Sequence, residues 1–145
     1  MKPKILVSAC LLGSNCKYDG GNNRDEQLIK WLADYEVIPV CPECFGGLKA
    51  PRVPSELRGG GVFARTGEDL SEQFLLGAQR TLTIALLNQV DTAILKSRSP
   101  SCGSNEIYDG SFSGRLIPGD GVTAALLKQH KIRVISSDDA VFKGK

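Results

Sequence analysis

The chain alternates between two hydrophobic periods, and that alternation leaves few architectures open to it. Short runs rich in aliphatic and β-branched residues at 4–9 (KILVSA), 36–40 (EVIPV), 92–95 (TAIL) and 133–136 (RVIS) read as buried strands. Between them, apolar residues recur at helical spacing. They follow an acidic first turn over 25–32 and form a stripe of Leu70, Phe74, Gly77, Ala78, Leu82, Ala85 and Leu86 over 69–89. A last helix is predicted over 122–130, ending near His130, where a cation suits the C-terminal dipole. Strands alternating with helices need crossover connections, and these are right-handed, so the strands run parallel with helices on both faces. The expected fold is an α/β, three-layer, Rossmann-like or flavodoxin-like domain with a mainly parallel four-stranded sheet. Gly77 and Ala78 predict close packing of the long helix on that sheet, and Trp31 is expected to pack there as well.

No repeat, low-complexity stretch or linker divides the sequence, so residues 1–145 are expected to form one domain, a length sufficient for one core. The segment 45–68, with Gly46-Gly47, Pro51, Pro54 and Gly59-Gly60-Gly61, reads as an ordered excursion or lid with a small strand pair near 62–65. Eighteen Lys and Arg against sixteen Asp and Glu give a net charge of +2, too balanced for a polynucleotide groove or an anionic membrane surface. Stable nucleic-acid binding is therefore not expected. Neither a membrane span nor a signal-like start is visible, which predicts a cytoplasmic protein. Oligomeric state is not legible at this level.

Five cysteines stand out. Their odd number and wide separation argue against a disulfide scaffold in a chain able to fold without one. Cys10, Cys41 and Cys102 each lie just beyond the carboxyl end of a predicted strand, the edge where open α/β sheets bind ligands. Structural zinc takes paired ligands, and Cys41-Pro-Glu-Cys44 has no partner pair. A redox C-x-x-C opens a helix, and Phe45-Gly46-Gly47 is a poor place for one, so Cys44 reads as a packed loop cysteine. An iron–sulfur cluster accepts thiolates from separate loops. With three ligands it leaves one iron open, a Lewis acid suited to a soft atom such as sulfur.

The motifs containing these thiols are distinctive as a set: Ser8-Ala9-Cys10-Leu11-Leu12-Gly13, Cys16-Lys17-Tyr18-Asp19-Gly20, Cys41-Pro42-Glu43, Gly46-Gly47-Leu48, Pro51-Arg52, Ser99-Pro100-Ser101-Cys102-Gly103, Tyr108 to Phe112 and Gly119 to Val122. Together they resemble the thiouracil desulfurase family, over nearly the whole chain. The resemblance implies a 4Fe-4S cluster held by three cysteines, with the fourth iron taking the sulfur of a thiolated pyrimidine. It implies hydrolytic replacement of C=S by C=O with release of sulfide. Carried onto this chain, the ligands are Cys10, Cys41 and Cys102, with Cys16, also in a matching motif, as the substitute. The family does not generally keep a cysteine at the position of Cys44. The absence of a second domain suits thiouracil or 4-thiouridine-type nucleosides.

Hydrolysis also needs proton transfer. Glu43, two residues after Cys41, is the candidate general base, and Ser101 the candidate to orient water or deliver a proton. Tyr18, Asp19 and Arg52 are the candidate substrate-binding residues. Asp19-Gly20 is equally a turn signal, Arg52 could instead pair with Glu56, and Lys96 ends the third strand facing either the crevice or solvent. Two competing classes remain at this point. One is a metal or cluster carrier or redox sensor without turnover, which would need no base beside Cys41. The other is a metal-free nucleotide-binding domain, against which stands the lack of a G-x-G-x-x-G or Walker A loop after the first strand.

Overall fold

In the computed structural model, which describes residues 2–143, strands β1 (Lys4–Ser8), β2 (Glu36–Val40), β5 (Thr92–Leu95) and β8 (Arg133–Ser136) form one parallel sheet in the order β2-β1-β5-β8. Val7 pairs with Pro39 on one side and Ile94 on the other, and Ile94 pairs in turn with Ile135. The chain steps one way from β1 to β2 and then the other way to β5 and β8. Right-handed crossovers therefore put the first helix, α1 (Glu26–Trp31), on one face and the later helices, α3 (Ser71–Leu87) and α4 (Val122–Gln129), on the opposite one.

The strand alternation matches this layering. Leu6, Ala93 and Leu95 pack with Ala85, Ala124 and Leu127 on the α3/α4 side. Ile5, Val7 and Ile94 pack with Leu28, Leu32 and Phe142 on the α1 side. Each fully buried aliphatic side chain contributes roughly 1.5–3 kcal/mol. Trp31 lies at the edge of the α1 layer, stacked on Tyr35 and edge-on to Phe142. Asp25 caps α1 by accepting a hydrogen bond from the Leu28 amide.

Four expectations change. Gly77 packs on the single-turn helix α2 (Pro42–Phe45) rather than on the sheet, and a Cβ there would overlap the Pro42 carbonyl just as one at Gly46 would overlap the Gln73 carbonyl. Leu86 is exposed although Ala85 beside it is fully buried, because the turn of about 100° per residue carries Leu86 off the face that α3 lays on the sheet. The strand pair lies earlier than 62–65: β3 (Ser55–Arg58) and β4 (Gly61–Ala64) form a hairpin closed by Gly59 and Gly60, both at positive φ. A second hairpin, β6 (Glu106–Tyr108) with β7 (Leu116–Pro118), occupies what reads in the sequence as loop. Its three-residue strands are too short to show a period. Glu56 on β3 accepts hydrogen bonds from the Gly110 and Phe112 amides, tying the two hairpins together.

Candidate active site

A cleft of about 360 Å3 opens at the carboxyl ends of β1, β2 and β5. The sheet order reverses between β1 and β5, which is where open α/β sheets bind ligands. Cys10, Cys16, Cys41 and Cys102 all line this cleft. Cys44 does not; it borders a shallow depression with Arg80 and Ile84 on the side of α3.

Each thiol is placed by a different local device. After β1 the chain enters a single 3-10 turn, Ala9–Leu12, that carries Cys10 and ends at Gly13 in the left-handed region. Asn23 binds that turn twice, its amide donating to the Cys10 carbonyl and its Nδ2 to Cys10 Sγ at 3.5 Å. After β2, Cys41 is the N-cap of α2 with Pro42 at the first helical position, so the C-x-x-C does open a helical turn, against expectation. Close contact of Gly46 and Gly77 holds this turn on α3.

After β5, the Lys96 amide donates to Ser8 Oγ, and Ser8 Oγ donates to Cys102 Sγ at 3.5 Å. The carbonyls of Pro100, Ser101 and Gly103 receive the amides of Val122, Thr123, Ala124 and Gly121 at the start of α4. The otherwise unpaired first-turn donors of the helix thus anchor the loop bearing Ser101 and Cys102.

The protons of the thiols are unevenly held. Cys16 receives hydrogen bonds from the Cys10 and Cys41 thiols, and with Ser14 and the nearby Arg52 charge this lowers its pKa far below the usual thiol value. The same contacts, with burial, push Cys10 and Cys41 upward. Burial raises Cys102 to about 11, against the hydrogen bonds from Ser8 and Ser101. Desolvation also lowers the ammonium of Lys96, whose Nζ donates to Ser97 Oγ.

Four thiols with no imidazole among them form a soft donor set that suits iron–sulfur ligation, and hydrogen bonds to sulfur tune such ligands. Among the described residues, no three His, Cys, Asp or Glu side chains gather as for a single metal ion. A cuboidal cluster spreads its thiolates over separate irons and has no need of that convergence.

Beside the thiols lies an oxygen-rich wall. Arg52 donates from Nε and Nη2 to Glu43 Oε1 at 3.1 and 2.7 Å, an ion pair with both side chains largely buried. Arg52 is fixed in turn by donating to the carbonyls of Cys16 and Lys49. Its partner is thus Glu43 and not Glu56, which is engaged with the second hairpin. Glu43 Oε2 accepts from Ser101 Oγ at 2.9 Å, and Ser101 Oγ stands 3.5 Å from Cys102 Sγ.

Of the other predicted residues, Tyr18 lines the cleft mouth half-exposed. Asp19 is not brought into the cleft. Its Oδ1 accepts the Gly21 amide in an Asx turn and its carboxylate faces Lys17, as the Asp-Gly signal also predicts. Lys96 faces the cleft. Ser8, Asn23 and Ser99 have no assigned role in the sequence reading, although the Ser-x-Ser-Cys spacing is one at which a serine hydroxyl can accept amides two and three residues on.

Residues 5–139 match the family described as 2-thiouracil desulfurase. The uncharacterized protein YbbK of Bacillus subtilis (strain 168) is 43% identical over 145 residues, covering 93% of this chain and 96% of that one. Among solved structures, the 4Fe-4S-dependent thiouracil desulfidase TudS superposes with a TM-score of 0.89 at 42% identity, covering 94% of this chain and 92% of the other. Fold, cleft and nearly full-length sequence similarity agree, and the chain belongs to the 2-thiouracil desulfurase family.

Proposed function

We propose that residues 1–145 act as one cluster-binding domain that removes sulfur hydrolytically from a thiolated pyrimidine base or nucleoside. In the net reaction, thiocarbonyl plus water gives carbonyl plus hydrogen sulfide, with no external oxidant or reductant. The observation that carries this reading is the contact of Ser101 Oγ with Glu43 Oε2 at 2.9 Å, directly beside the Cys102 thiol and within the thiol-lined cleft. A carrier or sensor needs thiols but no carboxylate–hydroxyl pair aimed at them.

Cys10, Cys41 and Cys102 would hold a 4Fe-4S cluster, each from its own strand end, with Cys16 the substitute. When bound, the cluster supplies an open iron as a Lewis acid for the soft thiocarbonyl sulfur. This chain's residues do the rest. Arg52 occupies one oxygen of Glu43 and leaves the other aimed at Ser101, so the carboxylate is oriented to take a proton from an attacking water. Ser101 passes a proton between Glu43 and the departing sulfur. Tyr18 offers a ring face at the mouth, and a cleft of about 360 Å3 falls within the range of small-molecule sites.

The test is anaerobic reconstitution, iron and sulfide analysis, and an ultraviolet assay for loss of thiocarbonyl absorption from 2-thiouracil and 4-thiouridine, with Cys10→Ala as control. About four irons per chain and cluster-dependent turnover are expected. A loaded cluster that turns over neither compound would assign the chain to the carriers or sensors. Failure to bind iron, with stoichiometric zinc instead, would overturn the chemistry.

A further inference from the structure

Ser99 is the best-connected hydroxyl of the cleft. Its Oγ accepts the Ser101 amide at 3.1 Å and the Cys102 amide at 3.1 Å, and it lies 3.0 Å from Ser101 Oγ and 3.4 Å from Glu43 Oε2. Its carbonyl accepts the Gly103 amide at 2.8 Å, so the loop closes on itself around this residue. A serine hydroxyl has two lone pairs and one proton. Both lone pairs of Ser99 are taken by amides, and an amide cannot reverse its direction. Ser99 therefore cannot accept a hydrogen bond from Ser101.

That restriction orients the neighbour. With Ser99 closed as an acceptor, the Ser101 proton has two remaining acceptors, Glu43 Oε2 at 2.9 Å and the weakly accepting Cys102 sulfur at 3.5 Å. The Ser99 proton in turn points to Ser101 Oγ at 3.0 Å or to Glu43.

We propose that Ser99 is a positioning residue whose amide-saturated hydroxyl is closed to Ser101 as an acceptor, so that the Ser101 proton points at the carboxylate in the resting site; once Glu43 has taken a proton from water, it hands that proton to Ser101 Oγ as Ser101 gives its own to the departing sulfur. This rests on the desulfuration reading above. It assigns the first serine of the Ser-x-Ser-Cys segment a role distinct from that of Ser101, which touches the reacting groups.

The experiment compares wild type with Ser99→Ala and Ser99→Thr. Steady-state kinetics are measured with 2-thiouracil on anaerobically reconstituted protein, iron content is measured on the same samples, and amide hydrogen exchange is followed by NMR on the metal-free protein. Ser99→Ala should keep the iron and leave KM within about twofold while kcat falls roughly tenfold to a hundredfold, less than the roughly 10²- to 10⁴-fold of a proton-transfer group itself, because Ser99 acts through Ser101. Exchange at the Ser101 and Cys102 amides should accelerate in Ser99→Ala while the sheet amides stay protected. Ser99→Thr, which keeps the hydroxyl, should restore both readouts.

An unchanged kcat in Ser99→Ala overturns the proposal, and so does a loss that follows iron content or that Ser99→Thr fails to rescue. A wild type without turnover would instead overturn the desulfuration reading. In that case, unchanged exchange at the two amides in Ser99→Ala would overturn the assignment of Ser99 independently.

Discussion

The sulfur side and the oxygen side of the cleft share two loops but are positioned by different means. Cys41 and Glu43 are two residues apart, and Ser101 and Cys102 are adjacent. The sulfurs follow the sheet: Cys41 directly follows the last residue of β2, and Cys10 lies two residues past the end of β1. The oxygens depend on contacts between loops, with Arg52 from the Gly/Pro-rich excursion joining Glu43 to the Cys16 backbone, and Ser99 and Ser101 meeting Glu43 from across the sheet. Retention of cofactor should therefore be a property of the sheet edge, and catalysis a property of how the loops meet.

The strongest way to break that comparison is to remove one group from each side. Cys102→Ala should lose most bound iron and with it all cluster-dependent turnover, while the metal-free protein still folds, since the site contains other thiols but only this one at the end of the β5 loop. Glu43→Gln keeps the shape and an acceptor oxygen for Arg52. It should retain about four irons per chain while kcat falls about 10²- to 10⁴-fold, as expected for loss of a general base. Iron analysis, visible absorption and kinetics on the same samples separate the two. If Glu43→Gln also lost its iron, the division into a binding side and a proton-transfer side would be wrong.

The two sides also differed in how far they could be read from the sequence. Strand period and the residues following each strand located Cys10, Cys41 and Cys102 at one edge, because a parallel α/β sheet brings its strand ends together whatever the loop details. Glu43 and Ser101 came with them as sequence neighbours. The partner of Arg52 could not be read this way. Glu56 is nearer in sequence, but the β3–β4 hairpin turns it toward the amides of the second hairpin. Ser99 was visible only as part of a motif, since its role depends on which lone pairs are already occupied. Gly77 reads as a sheet contact because a small residue in a helix reports a close approach without saying to what.

Gly77 sharpens the comparison because it supports both sides at once through α2. A methyl group there would overlap the Pro42 carbonyl. Gly77→Ala should therefore displace the turn bearing both Cys41 and Glu43, at a stability cost of about 1–3 kcal/mol as for other overpacked sites. Urea unfolding of the metal-free protein measures the cost. Iron content and the kcat of the iron-loaded fraction should fall together, unlike in either variant above. A fall in kcat alone would mean that α2 tolerates the shift on its sulfur side.

The smallest effect is expected at Thr123, where backbone and side chain can be told apart. The Thr123 amide donates to the Ser101 carbonyl at 2.8 Å and so helps to anchor the loop that carries Ser101 and Cys102. Its Oγ1 is fully buried and has no hydrogen-bond partner among the described residues. An unpaired buried hydroxyl costs free energy, and replacing it with a methyl group of similar shape removes that cost. Valine keeps the amide, and β-branching at this first-turn position is already accommodated. Thr123→Val should thus leave iron content and kcat unchanged while raising stability by about 0.5–1 kcal/mol, measured as a shift in the urea midpoint at constant slope. A loss of activity with unchanged stability would show that the hydroxyl contributes to the Ser101 loop, and that side chains as well as the α4 backbone set the oxygen side of the cleft.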